Sequence, residues 1–139
     1  MSLEFTSDDR AAAQTLIDLA LAEDLATVGD LTSQALIAEN WRGSADFVVR
    51  ADGVLAGIDV ARMVFNRIDS AVRWTTLMAD GTVVPRGSVV AKVEGPLRSI
   101  LSGERTALNF LTHLSGIATL THRFVQAISG SKAVQCGRI

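Results

Sequence analysis

EGPLRSILSGERTALNFLTHLSGIATLTHRFV (Glu94–Val125) decides how this chain is read. It opens on a Gly95-Pro96 breaker and then turns helical. Ser102 suits an N-cap, with Glu104 in the first turn near the positive end of a helix. Leu108, Leu111 and Leu114 follow at helical spacing. Ser115-Gly116 interrupts that pattern, and Ile117, Leu120, Phe124, Val125 and Ile128 make a second periodic set. The spacing predicts a C-terminal pair of helices. Arg105, Asn109 and His113 stand four residues apart, which aligns a cation, an amide and an imidazole along one helix face. Such a stripe is either a solvated face or a site.

Upstream, Ser7 can cap a helix, with Asp8 and Asp9 in its first turn and an apolar face through Leu16, Ile17, Ala20, Leu21 and Leu25. Gly29 breaks it, and Asp30 reads as the cap of a short Leu31-Thr32-Ser33 turn. Residues 44–51 alternate Ala45, Phe47, Val49 and Ala51 at strand period. Asp52-Gly53 is a tight-turn pair that predicts a hairpin with a short return strand over 54–56. Residues 58–68 switch to helical period, 72–78 return to strand, and 82–84 and 88–94 are further strands set between Asp80-Gly81 and Pro85-Arg86-Gly87 turns. This order predicts an α+β fold. One mainly antiparallel sheet is expected, flanked by helices and closed by the C-terminal helical pair.

The 139 residues suit one domain and are 48% apolar, an ordinary globular composition with a net charge of −2. No basic run suggests nucleic-acid binding. The acidic start MSLEFTSDDR is no signal peptide, and the longest uncharged stretch, 106–121, is too short for a membrane span. One cysteine, Cys136, leaves no internal disulfide framework and fits a reducing cytosol, so a cytoplasmic location is expected. His113 and His122 lie nine apart, which matches no zinc-ligand spacing, and no glycine-rich phosphate loop is present. Glu23 and Asp24, adjacent on a helix, point in different directions and make no catalytic carboxylate pair.

Four blocks, in order, resemble the amino-terminal domain of the quinolinate phosphoribosyltransferase family, the carboxylating nicotinate-nucleotide pyrophosphorylases. They are LALAEDLATVGDLTSQALI (Leu19–Ile37), ADGVLAGIDVARMVF (Ala51–Phe65), DGTVVPRGSVVAKVEGP (Asp80–Pro96) and ERTALNFLTHLSGIATLT (Glu104–Thr121). The resemblance implies a domain over residues 1–130, with 131–139 as a truncated lead-in to the family's α/β-barrel domain. That barrel is absent from this sequence, and so is the family's Asp-Thr-Arg-Lys-Thr segment. After Ser131-Lys132-Ala133-Val134 the chain reads Gln135-Cys136-Gly137-Arg138-Ile139, and no role is carried onto Arg138. A fragment, a truncated gene product or half of a split enzyme is expected, inactive alone.

The resemblance further implies a complete enzyme that joins quinolinate to phosphoribosyl pyrophosphate with Mg²⁺, whose ligands are not in this chain. Its products are nicotinate mononucleotide, pyrophosphate and carbon dioxide. Arg105 matches the arginine that enters the neighbouring subunit's site and so is the substrate-binding candidate; its guanidinium fork suits a carboxylate. The simpler reading of Arg105 is an ion pair with Glu104 or a helix-surface arginine. His113 is a second substrate-side candidate, with an ordinary hydrogen-bonded helix histidine as the simpler reading, and Asn109 reads as structural. No catalytic residue and no metal ligand are assigned. The apolar helix faces predict a homodimer or a higher homo-oligomer. Two alternatives stay open. DGTVVPRGSVVAKVEG resembles a lipoyl- or biotinyl-carrier hairpin, although Lys92 falls inside a strand rather than at a tip. A molybdenum-transport-associated paralogue of the same fold is the other.

Overall fold

A computed structural model describes residues 5–26 and 35–131. The expectations that fall on Gly29, Asp30 and the 31–33 turn, and on the 132–139 lead-in with Cys136, lie outside the described residues. The described elements are α1 (Ser7–Ala26), β1 (Arg42–Val48), β2 (Gly53–Val54), α2 (Ile58–Ile68), β3 (Arg73–Thr76), β4 (Val83–Val84), β5 (Val89–Pro96) and α3 (Leu97–Ile128). This is the expected α+β class.

The first helix is capped by Thr6 rather than Ser7. Asp9 N–H donates to Thr6 Oγ1 at 3.1 Å, and Asp9 Oδ2 accepts from Thr6 N–H at 3.0 Å and from the Thr6 hydroxyl at 2.6 Å. The exchange satisfies donors that an open helix end leaves unpaired. These bonds, led by the Thr6 hydroxyl, hold the Asp9 carboxyl below its ordinary range. Ala13, Ile17 and Leu21 then fall on one buried stripe.

Among the described residues all strand pairs are antiparallel, but they make two sheets, not one: a three-stranded sheet in the order β1-β5-β3, and a two-stranded β2-β4 pair. The hairpin expected at Asp52-Gly53 does not form, because Gly53 and Val54 pair with Val84 and Val83. Nor do β4 and β5 pair with each other, which removes the carrier-type hairpin. The central strand β5 turns Ala91 and Val93 inward and Lys92 and Glu94 outward. Phe47 lies opposite Ala91, and Trp74 opposite Val93. Phe65 of α2 closes the inner face, with ring centroids 6.1 Å from Phe47 and 5.6 Å from Trp74. The start of α2 is capped from a distance: Asp80 accepts from the Gly57 and Ile58 N–H groups at 2.9 and 3.0 Å.

The expected C-terminal helical pair is a single 32-residue helix, about 48 Å long at 1.5 Å per residue. It begins at Leu97, directly after Pro96, so Ser102 is not its cap and Glu104 lies beyond its first turn. Ser115-Gly116 does not interrupt it. Ser115 Oγ accepts from Ala56 N–H at 3.0 Å and donates to Ala56 O at 3.1 Å, and Thr119 Oγ1 accepts from Val54 N–H at 2.8 Å. These contacts tie the helix to residues 53–57 on both sides of the glycine. At Gly57, φ is 98° and an added Cβ would meet Leu114 Cδ1 at 2.8 Å, so only glycine permits this approach. The N-terminal half of α3 carries its buried residues Ile100, Gly103, Thr106, Ala107 and Leu111. Leu108, Ile117, Leu120 and Phe124 are exposed.

Candidate functional site

Two faces of α3 carry concavities. The first, about 550 Å³, lies between α1 and α3 and is lined by Asp24, Thr106, Asn109, Phe110 and His113 among others. The helix spacing therefore does bring Asn109 and His113 to one place, both with exposed side chains. Arg105 is the turn before. Its side chain is 82% exposed, while Thr106 beside it is buried at 1%. A helix turn anchored by buried Thr106 thus presents a largely exposed cation.

The carboxylate beside Arg105 is Asp24, not Glu104. Asp24 Oδ1 stands 4.0 Å from Arg105 Nε, an ion pair beyond hydrogen-bond length. Asp24 Oδ2 accepts the Thr106 hydroxyl at 2.6 Å. Sequence reasoning passed over this partner, although a signal was there. Ile17, Leu21 and Asp24 share one helical stripe, and a carboxylate on a core stripe requires a polar partner.

The second concavity, about 930 Å³, is an apolar groove between α3 and the β1–β2 region. Phe47, Val54, Leu108, Leu111 and Leu120 line it, and Glu104 and Arg123 also contribute. Among the described residues no three His, Cys, Asp or Glu side chains come together as a metal-ligand group. Among the same residues no helix is long and apolar enough to cross a membrane.

At the start of α3, the Ser99 hydroxyl donates to Asp69 Oδ2 at 2.6 Å and Ala71 N–H donates to Asp69 Oδ1 at 2.8 Å. The Ser99 bond, then the Ala71 bond, hold the Asp69 carboxyl below its ordinary range, with a smaller contribution from the Arg42 charge. This anchors the helix start to the end of α2 and fixes the position from which Arg105 projects.

Comparison with known proteins gives a consistent result. The family profile described as "Quinolinate phosphoribosyl transferase, N-terminal domain" matches residues 30–115. "Quinolinate phosphoribosyltransferase [decarboxylating] 1b" of Nicotiana tabacum is 39% identical over 112 residues, covering 81% of this chain and 32% of the relative. The "probable nicotinate-nucleotide pyrophosphorylase [carboxylating]" of Synechocystis is 42% identical over 109 residues, covering 78% and 36%. Among solved structures, the nicotinate-nucleotide pyrophosphorylase of Francisella tularensis superposes with a TM-score of 0.78 at 38% identity, covering 84% of this chain and 41% of that one. The chain spans about a third of the length of the curated relatives it matches.

Proposed function

The chain belongs to the quinolinate phosphoribosyltransferase amino-terminal domain family, and on that premise we propose that it completes the substrate site of an enzyme of NAD synthesis. That enzyme joins quinolinate to phosphoribosyl pyrophosphate and yields nicotinate mononucleotide, pyrophosphate and carbon dioxide. Arg105 meets a carboxylate of quinolinate across a subunit boundary, in a homodimer formed partly by the exposed apolar face of α3. His113 lies on the same helix face, two turns further on, as a secondary substrate-side residue. The Mg²⁺ ligands belong to the part of the relatives that this chain does not match.

One observation carries the reading. The Arg105 side chain is 82% exposed on a helix whose neighbouring residues Gly103, Thr106 and Ala107 are buried. An arginine spent on local packing would lie against that surface. One held out from a rigid base is placed to meet a ligand or a second chain, and its planar fork matches a carboxylate in two parallel bonds.

The test joins the full chain in frame to the unmatched part of the Synechocystis relative. The joined protein forms nicotinate mononucleotide from quinolinate, phosphoribosyl pyrophosphate and Mg²⁺, and the chain alone does not. Within it, Arg105→Ala weakens quinolinate binding about tenfold or more, since a hydrogen bond to a charged group contributes about 1.5–3 kcal/mol. Phosphoribosyl pyrophosphate binding changes less. Arg105→Lys restores only part of the loss, because an ammonium lacks the planar fork. Unchanged quinolinate affinity in Arg105→Ala refutes the assignment.

A further inference from the structure

Asp24 lies in the opening block of the sequence and has no part in the reading above. Its carboxylate is divided between two neighbours that follow each other on α3. Oδ2 takes the hydroxyl of buried Thr106 at 2.6 Å, and Oδ1 faces the Nε of Arg105 at 4.0 Å. Thr106 is 1% exposed, so the core sets the direction of its hydroxyl and hence the tilt of the carboxylate. The Asp24 side chain is itself only 26% exposed. A half-buried, hydrogen-bonded anion thus stands on the Nε edge of a cation that is otherwise in water.

We propose that Asp24 is the positioning residue for Arg105: fixed by Thr106, it draws the guanidinium by its Nε edge and turns the two terminal nitrogens outward to receive a carboxylate end-on. The proposal rests on the reading of Arg105 as a substrate contact. A guanidinium offers five donors in a fixed plane, and a carboxylate can be gripped either along the Nε side or across the two terminal nitrogens. With Asp24 on the Nε side, the end-on grip is the one left open. The opposing effect is repulsion between the Asp24 charge and an anionic ligand. That repulsion acts across the width of the guanidinium, beside a solvent-exposed side chain, where the high dielectric of water weakens it. Ordering a long, exposed arginine before the ligand arrives is the larger effect, because less freedom is then lost on binding.

The experiment uses the joined protein of the preceding subsection and, independently, the isotope-labelled full chain. In the joined protein, Asp24→Asn keeps the shape and a partner for Thr106 but removes the charge. It raises the dissociation constant for quinolinate about threefold at low salt, as loss of an exposed ion pair implies. The effect shrinks at high salt, and phosphoribosyl pyrophosphate affinity and kcat stay as they were. Thr106→Val, which frees the carboxylate, acts in the same direction, and Thr106→Ser restores tight binding. A residue that only pins α1 to α3 would change stability in these variants without a salt-dependent effect on one substrate.

In the full chain, the Arg105 Nε–H resonance, assigned by its loss in Arg105→Lys, exchanges with water severalfold faster in Asp24→Asn. Quinolinate affinity that is unchanged or tighter in Asp24→Asn, while Arg105→Ala remains weak, overturns the positioning role and spares the substrate role of Arg105. If Arg105→Ala is itself without effect, the underlying reading fails and the positioning role falls with it. If the joined protein does not fold, the resonance decides: an Nε–H signal indifferent to Asp24→Asn overturns the proposal.

Discussion

Two glycines of α3 invite the same substitution with opposite results. A Cβ added at Gly103 would lie 2.7 Å from Phe65 Cε1 and 2.9 Å from both Phe65 Cδ1 and Ile68 Cδ1. Carbon atoms in contact prefer about 3.5–4.0 Å, so α3 and α2 must separate by most of an ångström or the ring must move. The ring has little room. Phe65 is wholly buried and packs against both Phe47 and Trp74. Overpacking of this kind costs about 1–3 kcal/mol, and the better helix propensity of alanine returns about 1. Gly103→Ala is therefore expected to destabilise by about 1 kcal/mol net. At Gly116 an added Cβ meets nothing within 4 Å. There only the propensity remains, and Gly116→Ala stabilises by about 0.8–1 kcal/mol. Urea unfolding of the two variants, followed by Trp fluorescence, should separate their midpoints by roughly 1 M at an m-value of about 1–3 kcal/mol/M. Midpoints that move in the same direction refute the reasoning. In that case either the α2–α3 crossing is looser than described or α3 is not continuous through Gly116.

Ser115→Ala leaves the Ala56 N–H and C=O without their shared hydroxyl and should cost about 1–2 kcal/mol in the same urea assay. Asp69 and Asp9 both titrate below the ordinary aspartate range when folded, so their contribution is present above about pH 3.9 and is lost as pH falls through the folded values. The denaturation midpoint should drop in that acid window, and Asp69→Asn should flatten part of the drop. Light scattering should find a dimer or larger species, and Phe124→Glu on the exposed face should shift it towards monomer. A clean monomer at high concentration would count against that interface.

The candidate site was partly legible before any coordinates. Arg105, Asn109 and His113 share a helix face because helical spacing is a local property, and the helix runs through all three. Asp24 could be read only as no half of a catalytic pair with Glu23, because its contact with Thr106 depends on α1 lying beside α3, between residues 82 apart in the chain. The same division runs through the fold. The period of residues 58–68 marked α2 at its observed bounds, and the alternation of Ala91 and Val93 marked the inner face of β5, since side-chain direction follows from backbone repeat alone.

Strand partners and helix continuity were decided elsewhere. Asp52-Gly53 has the chemistry of a hairpin turn, yet β2 pairs with β4, because pairing depends on where the whole chain brings an edge. Ser115-Gly116 has the composition of a break, yet the helix passes through it. A mid-helix glycine costs only about 1 kcal/mol. The Ser115 and Thr119 hydroxyls, bonded to backbone groups of residues 53–57, outweigh that cost. Family membership and the position of Arg105 came from the order of residues. Which carboxylate faces that arginine, and which strands pair, came only from packing between segments far apart in sequence, where no local period carries information.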